Sequence, residues 1–329
     1  MPRVLVAGKI HADGLAVLRA APEVTVDYVE EVSAVSYEPF LPAADALLIR
    51  TQPLPAAFVE KASRLGIVSR HGVGYDSVDV AALNARGIPL AVVGDVNSRA
   101  VAEHAVMLML AAARRTVLFD QKMRAGDWNY RNSLDADELD GRTLLIVGFG
   151  RIGRRLAQIA TALGMAVLAY DRFQETADIA GAGVTPVVDL VDGLRRADVV
   201  SLHVPKSGAE PLIGAAELAV MKRSAILINT ARGGLIDEAG LLAALNEGRL
   251  AAAGLDVFDA EPPAAGDPML ACERVVLSPH NAGLTEACAR RMAISAATNI
   301  VDYFRGTLDP ALVVNRSEIT AHRLSAAGA

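Results

Sequence analysis

Three residues of types that serve in catalysis follow predicted strands in the second half of the chain. Arg232 stands in NTARGG, Glu261 in DVFDAEP and His280 in SPHNAG. Reduction of a ketone by hydride needs a cation that holds and polarises the substrate, an acid that protonates the new alkoxide, and a partner that holds the acid. Arginine, histidine and glutamate meet these needs in that order. Because ligands bind beyond the carboxyl ends of strands in parallel α/β sheets, the three positions are candidates for one catalytic site.

Each of these residues also has a simpler interpretation. A histidine after a strand is often a solvated loop residue, Glu261 is compatible with plain surface charge, and Arg232 can pair with Asp237. Asp256 closes another predicted strand and is compatible either with a ligand of a nicotinamide or with a capping residue. The joint placement after successive strands favours the catalytic interpretation of the first three.

A glycine-rich turn joins a predicted strand to a predicted helix in TLLIVGFGRIGRRLAQ. Gly148 permits a tight turn, Gly150 lets backbone N–H groups approach a pyrophosphate, and Gly153 lets the helix pack close to its strand. The next predicted strand ends on Asp171, whose carboxylate suits the ribose hydroxyls of a dinucleotide and repels a 2′-phosphate. The pattern therefore predicts NAD as cofactor, while the neighbouring Arg172 leaves NADP open.

Length and composition indicate a globular chain of two domains. The 329 residues include 52% hydrophobic and 21% charged residues, with a net charge of −6. The charge is spread without a basic patch for nucleic acid, and no apolar run is long enough to span a bilayer. Cys272 and Cys288 lack metal-ligand spacing and fit a reducing compartment. In the absence of a signal-peptide pattern we expect a cytoplasmic protein without a metal site.

Apolar strand patterns alternate with helical patterns along most of the chain. They predict strands at, among other places, residues 67–70, 89–93, 166–170, 199–202 and 275–277. A first α/β segment extends to about residue 96. A long helix from Arg99 to Val117, with Ser98 as its N-cap, is apolar nearly all round, which predicts burial between domains or subunits. A larger doubly wound segment follows, and a final helix from Thr285 to about Phe304 is expected to return to the first segment.

Seven motifs follow one another along nearly the whole chain. They are RHGVGYDSVD (70–79), NSRAVAEH (97–104), GFGRIG (148–153), SLHVPK (201–206), INTARGGLIDE (228–238), GLDVFDAEPP (254–263) and SPHNAGLT (278–285). In this order they resemble the D-isomer-specific 2-hydroxyacid dehydrogenase family. The resemblance implies an α/β fold of two doubly wound parallel-sheet lobes. A Rossmann NAD-binding domain (97–284) is inserted in a smaller flavodoxin-like substrate-binding domain (1–96 and 285–329).

The resemblance also implies roles for the three candidate catalytic residues. Arg232 is similar to the arginine that holds the carboxylate and carbonyl oxygen of the substrate. His280 is similar to the general acid/base, and Glu261 to the carboxylate that pairs with this histidine and orients its ring. Where the formate dehydrogenase branch has an amide this chain has Glu261, which argues against formate as substrate.

Further residues are assigned to substrate and cofactor by the same resemblance. The Val73-Gly74 backbone is similar to a cradle for the substrate carboxylate, and Arg50 and Arg70 lie where a charged substrate tail would be met. Arg70 can equally pair with Asp76. The residues assigned to the cofactor are Gly148, Gly150, Arg151, Ile152, Gly153, Asp171, Val204, Thr230, Ala231, Asp256 and Gly283.

The resemblance also implies a homodimer built on the long helix after Ser98. The expected binding partner is a small 2-hydroxy or 2-oxo acid, and binding to nucleic acid or to a membrane is not expected. Two alternatives to an NAD-dependent dehydrogenase stay open. One is an NADP-preferring glyoxylate/hydroxypyruvate reductase that uses Arg172. The other is an NAD-sensing corepressor-like binding protein, which the short tails of the chain disfavour. The identity of the acid and the physiological direction are not predicted.

Overall fold

The computed structural model describes residues 1–319, which form two compact units. The first unit contains Met1–Asn97 and the segment that starts at Leu284, and the second contains Ser98–Gly283. These bounds lie within one residue of the predicted domain boundaries after residues 96 and 284. Residues 320–329 of the predicted last segment lie outside the described part of the chain. Each unit contains one parallel sheet with helices, so the predicted α/β class is confirmed.

The first unit contains a five-stranded parallel sheet with four helices before the chain leaves it. Its elements are β1 (Arg3–Ala7), α1 (Ala12–Ala20), β2 (Thr25–Val29), α2 (Ala34–Tyr37), β3 (Ala46–Ile49), α3 (Ala56–Lys61), β4 (Ile67–Arg70), α4 (Val80–Ala85) and β5 (Leu90–Ala91), with a 3₁₀ turn at Glu38–Ala43. The strand order is β2-β1-β3-β4-β5, which is the flavodoxin-like order. All four residues of β3 are fully buried, as expected for a strand covered on both faces.

One predicted strand of this unit is wrong in its length. The sequence predicts a strand over Pro89–Val93, but only Leu90 and Ala91 pair with β4. Beyond them the N–H of Val92 donates to the carbonyl of Leu312, 2.9 Å away, so the backbone leaves the sheet ladder for the returning C-terminal segment.

The second unit contains a seven-stranded parallel sheet. Its elements are α5 (Ser98–Ala113), α6 (Thr116–Arg124), β6 (Thr143–Val147), α7 (Arg151–Ala162), β7 (Ala166–Tyr170), α8 (Thr176–Gly181), β8 (Thr185–Pro186), α9 (Leu190–Arg196), β9 (Val199–Leu202), α10 (Ala215–Val220), β10 (Ile226–Asn229), α11 (Glu238–Asn246), β11 (Ala252–Leu255) and β12 (Val275–Leu277), with 3₁₀ turns at Trp128–Ser133 and Pro268–Ala271. The strand order is β12-β11-β10-β9-β6-β7-β8. The order reverses between β6 and β9, where sheets of this kind bind dinucleotides.

The predicted helix from Arg99 to Val117 is divided into two helices. α5 begins at Ser98 and ends at Ala113, and α6 starts at Thr116. Between them Arg115 adopts a left-handed conformation with φ of +48°. The carbonyl of Ala113 accepts the N–H of Asp137 at 2.9 Å, so a distant loop rather than a further helical turn satisfies the end of α5. Spacing of apolar residues cannot show such a tertiary hydrogen bond.

The last helix, α12 (Glu286–Arg305), belongs to the first unit. The hydroxyl of Thr285 accepts the N–H of Cys288 at 3.2 Å and thereby caps its N-terminus. On the sheet side the Ser69 hydroxyl donates to the carbonyl of Ala296 at 2.8 Å, and the Asn299 amide donates to the carbonyl of Val92 at 3.1 Å. Buried polar bonds as well as apolar packing therefore hold α12 against the first sheet.

Candidate active site

The glycine-rich turn between β6 and α7 is shaped by its glycines. Gly148 has φ of +98°, and a Cβ there would lie 2.5 Å from the carbonyl oxygen of His203. A Cβ on Gly153 would clash with the carbonyl oxygen of Gly148, whereas a Cβ on Gly150 meets no atom within 4 Å. Two glycines thus permit close packing, and the third leaves room beside the N-terminus of α7. Exposed N–H groups and the helix dipole make this place suitable for a pyrophosphate.

Asp171 follows β7 and is tied to the same turn. Its Oδ2 accepts the N–H of Phe149 and its Oδ1 accepts the N–H of Phe173, both at 2.8 Å. A carboxylate oxygen can accept more than one hydrogen bond, so both oxygens retain capacity for ribose hydroxyls. The two backbone bonds fix the direction of the carboxylate in advance.

Two arginines stand close to these motifs in the sequence, Arg154 in the first turn of α7 and Arg172 directly after Asp171. Arg172 donates from Nη2 to the hydroxyl of Ser207 at 3.1 Å, and its guanidinium lies 4.8 Å from the centre of the Phe173 ring. Arg154 lies 4.6 Å from the centre of the Phe149 ring and donates to Gln174 at 3.0 Å. Both guanidinium groups are therefore held on aromatic rings by cation–π contact.

Arg232 lies in the loop that follows β10. The side chain of Asn229 holds this loop, since its amide donates to the carbonyl of Arg232 at 2.8 Å and its oxygen accepts the N–H of Ala231 at 3.0 Å. Arg232 donates from Nη1 to the carbonyl of Ala231 at 2.6 Å. A Cβ on Gly233 would clash with the carbonyl of Phe258, so this loop packs directly on the one after β11.

His280 and Glu261 form a hydrogen-bonded pair after β12 and β11. Nδ1 of His280 lies 2.6 Å from Oε2 of Glu261, and Oε1 of Glu261 accepts the N–H of Phe258 at 3.1 Å. Because an ionised carboxylate only accepts, Nδ1 carries the proton of this bond. Nε2, on the opposite side of the ring, is the nitrogen that can exchange a proton. His280 is 52% exposed and Glu261 36%, so the pair is open to a ligand.

Asp256 has a buried carboxylate that accepts hydrogen bonds from the loop that carries His280. Its side chain is 1% exposed, and it accepts from the Ser278 hydroxyl at 2.6 Å and from the N–H groups of Asn281 and Ala282 at 2.9 Å each. His104 lies next to the Ser278 hydroxyl, 2.8 Å away. Asn229, His104 and Ser278 are not among the residues that the sequence predicts for the site. All three stand inside the motifs quoted above, but their residue types alone indicate no role.

The other residues predicted to contact the cofactor also lie in the second unit. Val204 follows β9, and its Cγ1 would lie 2.8 Å from a Cβ on Gly148. Thr230 follows β10, and its Oγ1 is buried without a hydrogen-bond partner among residues 1–319. Such an atom at the carboxyl edge of the sheet fits contact with a polar ligand group. Arg151 and Ile152 open α7, Ala231 precedes Arg232, and Gly283 ends the loop that carries His280.

The predicted substrate residues lie in the first unit, beyond the carboxyl ends of β3 and β4. Arg50 donates from Nη1 to the carbonyl of Lys9 at 3.1 Å, and Arg70 donates from Nη1 to the carbonyl of His71 at 3.2 Å. Burial lowers the pKa of Arg50. Burial, and then the charges of Arg50 and Arg70, lower the pKa of His71 to about 4. The backbone of Val73 and Gly74 follows directly.

No helix within residues 1–319 combines the length and the apolar character that a membrane span requires.

Comparison with known proteins gives one consistent result. A family model described as D-isomer specific 2-hydroxyacid dehydrogenase, NAD binding domain, matches residues 106–282. D-3-phosphoglycerate dehydrogenase of Methanocaldococcus jannaschii is 36% identical, and the match covers 98% of this chain and 61% of that protein. The chain thus spans less than two thirds of the length of that relative. Glyoxylate reductase of Aeropyrum pernix is 38% identical, and the match covers 95% of this chain and 96% of that protein.

A solved structure agrees with these sequence matches. The NADPH-dependent glyoxylate/hydroxypyruvate reductase of Sinorhizobium meliloti, crystallised with NADP and malonate, has a TM-score of 0.84 and 30% identity, covering 97% of this chain and 98% of that one. The family model covers more than half of the chain, and the glyoxylate reductase is matched over nearly its whole length. The chain therefore belongs to the D-isomer-specific 2-hydroxyacid dehydrogenase family, whose members are oxidoreductases that transfer a hydride between a nicotinamide cofactor and a D-2-hydroxy acid.

Proposed function

We propose that this protein catalyses the reversible reduction of a 2-oxo acid to a D-2-hydroxy acid through Arg232, His280 and Glu261. The observation that carries the proposal is the 2.6 Å bond between Nδ1 of His280 and Glu261. This pair follows strands β12 and β11, and β11 lies next to β10, the strand that precedes Arg232. A bound nicotinamide supplies the hydride. The chain itself must hold the acid, polarise its carbonyl group and supply a proton.

Each of the three side chains has one task in this proposal. The Arg232 guanidinium binds the carboxylate and the carbonyl oxygen of the oxo acid, which favours attack at the carbonyl carbon. The alkoxide formed there takes a proton from Nε2 of His280. Glu261 keeps Nδ1 protonated and compensates the charge of the doubly protonated ring. In the oxidation direction the neutral Nε2 accepts the hydroxyl proton instead.

A panel of oxo acids tests the proposal. Glyoxylate, hydroxypyruvate, phosphohydroxypyruvate and pyruvate are offered to the purified protein with NADH and with NADPH, and oxidation of the cofactor is followed by absorbance. Turnover of at least one acid is expected. If all four acids leave both cofactors unoxidised, the proposed function is wrong for this substrate range.

We propose NAD rather than NADP as the preferred cofactor, supported by the fixed carboxylate of Asp171. A 2′-phosphate placed near this carboxylate would meet like charge. The guanidinium of Arg172 uses one of its five N–H donors on Ser207 and lies against Phe173, so binding of NADP through Arg172 is the alternative to be tested. Fluorescence titration is expected to give a lower Kd for NADH than for NADPH. Asp171→Asn is expected to reduce the ratio of the two Kd values. Tighter binding of NADPH by the unchanged protein would assign the opposite preference.

We also propose that the acid carries an anionic tail that binds to Arg50 and Arg70 in the first unit. Partial burial of these guanidinium groups strengthens their attraction for an anion. Arg50→Gln should then raise KM about tenfold for phosphohydroxypyruvate but not for glyoxylate. Arg3→Gln serves as a control, because Arg3 lies at the start of β1, away from the carboxyl edge of the same sheet. Equal effects on both acids would contradict the proposal.

A homodimer formed through α5 and α6 is proposed from the apolar side chains that this part of the second unit exposes. They are Met107, Leu110, Val117, Met123, Trp128 and Leu134, all between 38% and 88% exposed. An apolar surface of this kind is typical of protein interfaces. Light scattering after size exclusion should give twice the mass of the chain, and Met107→Asp with Leu110→Asp should reduce it to one. A monomer at micromolar concentration would exclude the dimer.

The cytoplasmic location stays a prediction, which cell fractionation can test.

A further inference from the structure

The loop that carries His280 is held by one buried carboxylate. Oδ1 of Asp256 accepts the Ser278 hydroxyl at 2.6 Å and the Asn281 N–H at 2.9 Å, while Oδ2 accepts the Ala282 N–H at 2.9 Å. The backbone carbonyl of Asp256 accepts the N–H of His280 at 2.8 Å. A single residue at the end of β11 therefore holds the backbone on both sides of the candidate acid/base.

This backbone needs such support because His280 adopts an unfavourable conformation. Its φ of +49° lies in the left-handed region, where Cβ is crowded and which residues other than glycine rarely adopt. A residue persists there only when surrounding bonds hold it. The direction of the imidazole ring follows from this backbone, so the bonds made by Asp256 also set the position of Nε2.

Asp256 is in turn linked to helix α5 through Ser278 and His104. Nε2 of His104 lies 2.8 Å from the Ser278 hydroxyl and 3.5 Å from Oδ1 of Asp256, and its side chain is 15% exposed. The Ser278 hydroxyl has one proton, and an ionised carboxylate only accepts. Ser278 therefore donates to Asp256, and His104 must donate its Nε2–H to Ser278. Counting protons thus assigns the direction of both hydrogen bonds. It also requires that Nε2 of His104 carries a proton.

We propose that His104 and Ser278 are positioning residues for His280, acting through the carboxylate of Asp256. The donor chain from His104 to Ser278 to Asp256 fixes the rotation of the carboxylate, and the carboxylate holds the N–H groups of Asn281 and Ala282, the two residues that follow His280. Neither residue exchanges a proton with the substrate in this scheme. The inference rests on the role proposed above for His280, and it extends that role to a helix far away in sequence.

Paired substitutions at His104 separate positioning from packing. His104→Gln keeps an N–H donor near the position of Nε2, whereas His104→Leu fills similar space without a donor. We expect His104→Leu to lower kcat between about 10-fold and 100-fold, because small displacements of a catalytic group are costly. KM for the oxo acid and the Kd of NADH should change less than about threefold, and His104→Gln should keep kcat within about threefold of the unchanged protein. Unchanged kcat in His104→Leu, or equal losses in both variants, would overturn the proposal.

A readout without turnover tests the same idea on the ligand-free protein. The Cε1–H resonance of His280, assigned with His280→Asn, should shift or broaden in His104→Leu and in Ser278→Ala. It should stay in place in His104→Gln and in Ser278→Thr, which retain the donor and the hydroxyl. His203→Gln is the control, because His203 is a partly buried histidine of the same unit that contacts Ser201 rather than this loop. An equal shift in the control variant, or no shift in His104→Leu, would overturn the proposal.

The two experiments distinguish failure of the inference from failure of the proposed function. If no oxo acid is turned over, the function is wrong, yet the resonance of His280 still reports whether His104 positions it. If turnover is present and the resonance does not respond to His104→Leu, the function stands and the positioning role is excluded.

Discussion

The carboxyl edges of the two sheets hold their charged groups in different ways. In the second unit His280 is hydrogen-bonded to a carboxylate, and the buried carboxylate of Asp256 accepts three hydrogen bonds from residues 278–282. In the first unit Arg50 and Arg70 donate to backbone carbonyls, and the buried His71 lies close enough for their charges to lower its pKa. The same parallel architecture thus gives one edge suited to proton transfer and one suited to binding an anion.

The largest effect is expected from the acid/base pair of the second unit. His280→Gln removes the proton donor, and kcat should fall by about 10³-fold, within the range of general acid–base catalysis. The Kd of NADH should stay within about twofold, since the glycine-rich turn is unchanged. Steady-state kinetics and fluorescence titration measure both quantities. His11→Gln, at the N-terminus of α1 in the first unit, is the control and should leave kcat unchanged. Substantial turnover in His280→Gln would exclude the proposed acid.

Buried histidines should make the stability of both units depend on pH. The pKa of His71 and of His203 is about 4 in the folded chain, against 6.5 for the ordinary side chain. Between these values the unfolded chain binds more protons, so the free energy of unfolding falls as pH decreases from 6.5 towards 4. The loss can reach about 3 kcal/mol per ring.

Urea unfolding at pH 7.5 and at pH 5 measures this loss. His71→Gln and His203→Gln should each show a smaller decrease in midpoint than the unchanged protein. His11→Gln is again the control and should show the full decrease. If all three variants lose stability in parallel with the unchanged protein, burial of the two rings is not the cause.

A smaller effect is expected from removing the carboxylate that holds the acid. Glu261→Gln keeps an oxygen near Nδ1 of His280 but no longer compensates the charge of the protonated ring. We expect kcat to fall between about 10-fold and 100-fold, less than for His280→Gln. Glu238→Gln is a matched control, because Glu238 also accepts a backbone hydrogen bond from the loop after β11. The N–H of Asp259 donates to Oε1 of Glu238 at 2.8 Å. Equal losses in both variants would indicate a general disturbance of the loop.

The smallest effect is expected on the pKa of His71 when a positive charge of the first unit is removed. Burial alone lowers the pKa of His203, whereas the charges of Arg50 and Arg70 contribute to lowering the pKa of His71. Arg50→Gln should therefore raise the pKa of His71, by less than about one unit, and leave that of His203 unchanged. Titration of the histidine resonances by NMR measures both values. A shift at both histidines, or at neither, would show that the two edges do not differ in this respect.

Most of the sheet could be predicted from the sequence because buried parallel strands are short apolar runs. The strands Ile67–Arg70, Ala166–Tyr170, Val199–Leu202 and Val275–Leu277 were predicted with the bounds that the structure has. The short elements α2, α3, α8 and β8 were missed, because two to six residues give too little pattern. The break between α5 and α6 was missed because a hydrogen bond from Asp137 creates it.

The sequence by itself determined the glycine-rich turn, the acidic end of the following strand and the order of the residues that follow the strands. These features depend on local backbone geometry and on the rule that parallel strands end at one edge, so residue types and spacing suffice. Only the tertiary structure shows the hydrogen bonds of Asp256, whose place in the sequence is compatible with either a ligand or a capping residue. His104 and Ser278 are 174 positions apart in the chain, and only folding brings their side chains within 2.8 Å of each other. Hydrogen bonds between such distant residues leave no periodic pattern in the sequence.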